Sequence, residues 1–195
     1  MIYLIGNSHV RGFIGSMFYQ IHLGPVIAYN FMEHHMQKVR NYLTSIDQIN
    51  YISLVVGEVD CRLHLPKQAD EQKRTDEDVT KECITKITKC YEEIESKGYN
   101  IIVFATHPTT IEEHDLRKAD RPIYGSCKRR NNICCIWNQE LEQVCKDKGW
   151  KFISIYKHLV DENGLTKMEY FEDYCHLNAT KTVPFLLQEL NDETF

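Results

Sequence analysis

The chain has 195 residues, enough to bury a substantial core in one domain, and its 43% hydrophobic, 11% aromatic and 26% charged composition shows no bias toward disorder, collagen or a membrane. A net charge of -5 and a pI of about 6.0 argue against general nucleic-acid binding, which needs a basic surplus to neutralise phosphates. No stretch approaches about 18 apolar residues, and Asn7, Ser8 and His9 interrupt the first apolar run before a signal-peptide core would end, so a cytoplasmic protein without a membrane span is expected.

In chain order, Ile2 to Ile5 reads as a first buried strand, and Val10 to Gln20 as a helix following it at once. Val26 to Tyr29 reads as a second strand, Phe31 to Thr44 as a helix and Ile52 to Val56 as a third strand. Residues 63–75 are polar and read as a long loop. From Asp76 to Lys97 the residues Val79, Cys83, Ile87, Tyr91 and Ile94 recur at helical spacing until Gly98 stops the pattern. Ile101 to Ala105 is a fourth strand, and residues 106–132 form a second long connection. Ile133 to Lys148 is a helix stopped by Gly149, Phe152 to Ile155 a fifth strand, and Val183, Leu186, Leu187 and Leu190 mark a last helix.

Strands alternating with helices specify a parallel sheet with right-handed crossovers, hence a three-layer α/β/α sandwich. Ligands of such sheets sit beyond the carboxyl ends of the strands. Ser8 stands at that edge, where strand one gives way to a helix whose first amides favour negative charge. A serine there is either a helix cap or a nucleophile. Near the C-terminus "DYCHLN" places Asp173 and His176 three apart, a spacing that lets the carboxylate fix the imidazole tautomer while its other nitrogen serves as a base.

With "IGNSH" at the first strand end, "VVGEVD" after the third strand and "DYCH" before the last helix, the chain resembles the SGNH (GDSL-type) hydrolases over most of its length. The resemblance implies a flavodoxin-like sheet of five parallel strands in the order 2-1-3-4-5. It also implies Ser8 as nucleophile, His176 as general base and Asp173 as its orienting partner. Esterase, thioesterase, carbohydrate O-acetylesterase and acyl-transfer activities follow from it, without a cofactor or a metal.

Three places depart from the pattern, one being the second block, whose glycine is missing from "AYNFME" after the second strand, Gly24 lying before it. Asn7 replaces the usual Asp of the first block, an amide able to keep most of the same hydrogen bonds. Val59 stands in Gly57-Glu58-Val59-Asp60 where the family places an Asn that donates to the oxyanion, and one lost donor costs roughly 3 to 4 kcal/mol of transition-state stabilisation. The replacement donors expected are the backbone amide of Asn30 or Phe31, after the second strand, and Arg62.

Around these, Glu58, Asp60 and Arg62 read either as a polar rim for a sugar or as an ion-pair network shaping the loop, the latter favoured for Asp60 and Arg62. His107 either touches substrate or caps its loop. His9 is expected to pack or face solvent, and "EHH" at 33–35 to be a solvated helix start, adjacent histidines on a helix pointing apart. The basic cluster of Arg117, Lys118, Arg121, Lys128, Arg129 and Arg130 reads as a solvated loop or as a lid that recognises an anionic group. Eight cysteines without a C-x-x-C pair read as buried free thiols. The function expected is a serine esterase removing a short acyl group, an O-acetyl on a carbohydrate, from a small-molecule or glycan ester. An acyltransferase of glycan synthesis, or a non-catalytic sugar- or nucleotide-binding module, is the alternative.

Overall fold

The computed structural model of the chain describes residues 1–111 and 122–192. Five strands, β1 (Ile2–Gly6), β2 (Phe18–His22), β3 (Tyr51–Val55), β4 (Asn100–Phe104) and β5 (Lys151–Ile153), run parallel in the order β2-β1-β3-β4-β5. The helices are α1 (Phe31–His34), α2 (Met36–Leu43), α3 (Leu65–Gln72), α4 (Asp76–Ser96), α5 (Cys127–Lys148), α6 (Tyr156–Leu159) and α7 (Ala179–Asp192).

Strands of a parallel sheet are covered on both faces, so successive side chains enter opposite cores. Ile2 and Leu4 of β1 and Ile102 of β4 pack with Val10, Ile153, Leu186 and Leu190 under α7. Ile5, Ile52, Leu54, Ile101 and Val103 enter the larger core on the other face, against apolar residues of α2, α4 and α5. The long helices carry the expected punctuation. Thr75 accepts from the Asp78 N–H at 3.0 Å to cap α4, Ser126 accepts from the Arg129 N–H at 3.3 Å to cap α5, and Gly149, at φ +71°, ends α5 in the left-handed region. Seven of the cysteines are buried and Cys135 is half-buried.

The second strand lies earlier than its apolar content suggests. Only Ser8–Gly12 is helical, as a short 3-10 turn, and the segment expected to extend that helix to Gln20 instead turns at Gly15 and enters β2, pairing Phe18 with Ile2 and His22 with Gly6. β2 is an edge strand whose Tyr19, Gln20 and His22 are exposed, so it shows no buried apolar run. Residues 26–29, the expected strand, are apolar for another reason: Val26 and Ala28 are core residues, while the Ala28 and Tyr29 amides donate to the Asp60 carboxylate rather than to a strand.

Three further boundaries differ. The expected helix over 31–44 is broken at His35 into α1 and α2. The expected loop over 63–75 is mostly helical: a π turn over Asp60–His64 runs into α3, which buries only Leu65, Pro66 and Ala69 and so carries a polar composition. The expected loop over 106–132 ends earlier, because α5 begins at Cys127. Arg117, Lys118 and Arg121 lie outside the described residues. Lys128 is exposed, Arg129 is paired with Asp70 and Asp76 at 2.8 and 2.7 Å, and Arg130 is buried, donating to Thr109 Oγ1 at 3.1 Å and to the Thr110 carbonyl at 2.6 Å. The last two therefore hold α5 to its surroundings and are not available to a ligand.

Candidate active site

The last residue of β1 is a glycine, Gly6, because the chain passes so close to β3 that a Cβ there would collide with the Val55 carbonyl oxygen. Asn7 follows as the cap of the 3-10 turn. Its Oδ1 accepts from the His9 N–H at 3.1 Å and its Nδ2 donates to the Val26 carbonyl at 3.4 Å. An aspartate could make the first bond and not the second, so the amide ties the turn to the neighbouring loop. Ser8, the first residue of the turn, has an N–H with no acceptor inside the turn.

The distant pair reaches this serine. His176 Nε2 lies 2.8 Å from Ser8 Oγ, and His176 Nδ1 lies 2.8 Å from Asp173 Oδ2. The other Asp173 oxygen accepts from the Cys175 and His176 amides, both at 2.8 Å, so the three-residue spacing is closed as a tight turn that aims the imidazole. The turn is fixed at both ends by the Glu172 N–H on the His176 carbonyl at 2.9 Å and the Asn178 N–H on the Tyr170 carbonyl at 2.8 Å, immediately before α7. Donor atoms of Asp173, Cys175 and His176 lie within 4.8 Å of one another, which would suit a cation. The Asp173–His176 hydrogen bond already engages two of the three.

Behind Ser8 lies a buried polar chain. Glu58 bonds Arg62 Nε at 2.8 Å and His9 Nε2 at 2.9 Å, and His9 Nδ1 lies 3.0 Å from His107 Nε2. His107 Nδ1 faces the Pro108 carbonyl at 2.9 Å, so that nitrogen carries the proton. Burial, together with the neighbouring His9, pushes His107 down to about 3 and keeps it neutral, so its Nε2 can only accept. His9 bridges the two, its Nδ1 facing His107 and its Nε2 facing Glu58. Burial would raise the Glu58 carboxyl, but Arg62 and His9 outweigh it and hold it at about 2. His107 is visible at this edge from its place after the fourth strand, whereas His9 is not, because its partners come from two remote segments.

The remaining expected residues divide. Asn30, Arg62 and Val59 line an open cleft of about 580 Å3 together with Ser8 and His176. Glu58 does not line it, being spent on His9 and Arg62. Gly57 is buried at φ +108°, where a Cβ would lie 2.9 Å from the Trp137 indole, so its place in the motif serves packing. Asp60 pairs with the Ala28 and Tyr29 amides at 2.9 and 3.4 Å instead of with Arg62, and burial raises its carboxyl to about 7. The Phe31 N–H is taken by the Ala28 carbonyl at 3.2 Å, which removes it as an oxyanion donor. His35, expected in solvent, instead lines the cleft with a buried Nδ1 that has no partner, and burial beside Lys38 lowers its basicity.

No protein-family model matches the chain, and no curated protein sequence does. Solved structures share its architecture. A GDSL-like lipase from Bacteroides thetaiotaomicron has a TM-score of 0.62 at 14% identity, over 100% of this chain and 88% of that one. A member of the lipolytic G-D-S-L family from Veillonella parvula has a TM-score of 0.58 at 15% identity, over 97% and 96%. A catalytic mutant of an acetylxylan esterase from Geobacillus stearothermophilus has a TM-score of 0.57 at 11% identity, over 98% and 92%. The five-stranded sheet, its strand order and these likenesses together give the chain the fold of the SGNH-type hydrolases.

Proposed function

We propose that the chain is a serine ester hydrolase, and the observation that carries the reading is the unbroken line from Ser8 Oγ through both nitrogens of His176 to Asp173, each step 2.8 Å. Ser8 Oγ attacks the acyl carbonyl while His176 Nε2 takes its proton, and Asp173 stabilises the imidazolium that forms. His176 returns the proton to the leaving alcohol. Water, activated by the same imidazole, then releases the acyl group from Ser8.

The Ser8 N–H is one oxyanion donor in this reading. The second is Asn30. Its Oδ1 is the buried end without a partner, which leaves Nδ2 to face the cleft where Val59 offers nothing. A short acyl group on a carbohydrate suits a cleft that is open and lined by polar side chains such as Asn7, Asn30 and His64 beside apolar ones such as Val26, Ile27 and Leu63, and two of the proteins sharing the fold carry the name acetylxylan esterase.

The test is covalent labelling and turnover. A fluorophosphonate probe labels wild-type Ser8 and p-nitrophenyl acetate is hydrolysed. Ser8→Ala abolishes both, and Asp173→Asn lowers kcat by roughly ten-thousand-fold because the imidazole adopts the wrong tautomer. A folded protein whose Ser8 is not labelled would refute the esterase. Partition of the acetyl group to an added sugar in preference to water would make the chain an acyltransferase instead.

A further inference from the structure

The chain as a whole is acidic, at -5, yet its candidate cleft is not. Among the described residues the lining contains Arg11, Arg62, His35 and His64 and no aspartate or glutamate. The two arginines carry charge at any physiological pH.

Their placement is specific. Arg62 is 5% exposed, with Nε held by Glu58 at 2.8 Å and Nη1 on the Pro122 carbonyl at 2.6 Å, which fixes the guanidinium plane and leaves Nη2 uncommitted among the described residues. Arg11 stands three residues after Ser8 on the same 3-10 turn, where side chains at that spacing eclipse one another, so it rises over the nucleophile's own face. It is exposed and makes no ion pair or hydrogen bond among the described residues. Glu58 is spent behind the cleft on Arg62 Nε and His9 Nε2, so the positive charge at this edge without a carboxylate beside it among the described residues is that of Arg11.

We infer that the ester accepted by this cleft carries an anionic group, a carboxylate or a phosphate, close to the acylated hydroxyl, and that Arg11 and Arg62 bind it. The inference rests on the esterase reading and narrows its substrate class from carbohydrate esters in general to those of acidic sugars. A fixed guanidinium edge and a second arginine approaching from the nucleophile's turn form a cradle suited to planar or tetrahedral oxyanions.

The experiment compares three O-acetylated substrates: a methyl glycoside of a uronic acid, the same compound as its neutral methyl ester, and a sugar phosphate. Wild-type protein at low ionic strength is expected to favour a charged substrate over the neutral isostere by about tenfold or more in kcat/KM, chiefly through KM. The uronate and phosphate arms tell the two anions apart. The preference shrinks in roughly 0.5 M salt and collapses in Arg11→Gln. Equal turnover of charged and neutral esters, or a preference for the neutral one, overturns the inference while leaving the esterase standing. If none is hydrolysed, the esterase reading fails, and binding to Ser8→Ala decides the inference separately: tighter binding of the uronate than of its methyl ester upholds it, and equal binding overturns it.

Discussion

Glu58 Oε2 lies 2.9 Å from His9 Nε2 in a region where neither side chain is more than 6% exposed. The same carboxylate holds Arg62, so one buried negative charge balances two groups that both donate to it. Replacing Glu58 by Gln keeps the volume and removes the charge. Buried ions left without a counter-charge typically cost about 3 to 5 kcal/mol. Urea denaturation of Glu58→Gln is expected to show a loss in that range, and the double variant with Arg62→Gln to recover part of it. A loss below about 1 kcal/mol would mean that water reaches the pair.

Gly57 tests the packing under the third motif. At φ +108° any side chain is strained, and a Cβ would press on the Trp137 ring at 2.9 Å. Gly57→Ala is expected to destabilise by about 2 to 4 kcal/mol from backbone strain and overpacking together. In a Trp137→Leu background the overpacking part disappears and the backbone part stays, so the two substitutions are non-additive. Thermal unfolding of the four proteins reads this directly.

The acid limb of stability follows from three buried groups. His107, ordinarily at 6.5, is held near 3, so the unfolded chain binds a proton that the native chain refuses, and stability falls as pH drops below 6.5. Asp60 works the other way. Its ordinary value is 3.8 and burial raises it to about 7, so the native chain takes up the extra proton and gains stability over the same interval. These two contributions offset each other down to about pH 4. Below 4.5, Glu58, held at about 2, adds to the His107 loss, and stability is expected to fall steeply. Asp60→Asn removes the opposing contribution, and its stability should decline from pH 6.5 downward at up to about 1.4 kcal/mol per unit. Urea midpoints at pH 7, 6 and 5, constant in the wild type and falling in the variant, would establish it.

What could be read from the chain alone follows physical visibility. β1, β3 and β4 are buried on both faces and appear as apolar runs, whereas β2 sits at the edge, exposes alternate polar residues and hides. Val26 and Ala28 mimic a strand because they are core residues, and nothing local reveals that the Ala28 amide is claimed by Asp60, 32 residues on. Asp173 and His176 are legible because their contact is local, and Ser8 because a strand end exposes it. The His9–Glu58–Arg62 chain is only half local: the i,i+4 pair Glu58 and Arg62 is visible, but His9 joins it across 49 residues.

The oxyanion site gives the sharpest test of the proposed chemistry. The Val59 side chain has no donor, the Phe31 amide is engaged at 3.2 Å, and the Ser8 amide alone would leave the developing charge poorly held. If Asn30 Nδ2 supplies the second donor, Asn30→Ala should lower kcat by about 10²- to 10³-fold with KM little changed, since the bond matters only in the transition state. Asn30→Asp should be as poor, because it keeps the size and replaces the donor with an acceptor. Val59→Asn restores a donor at the motif position and should recover activity in the Asn30→Ala background. Full kcat in Asn30→Ala would assign the second donor elsewhere, and loss of kcat in Arg62→Lys would then assign it to the guanidinium of Arg62.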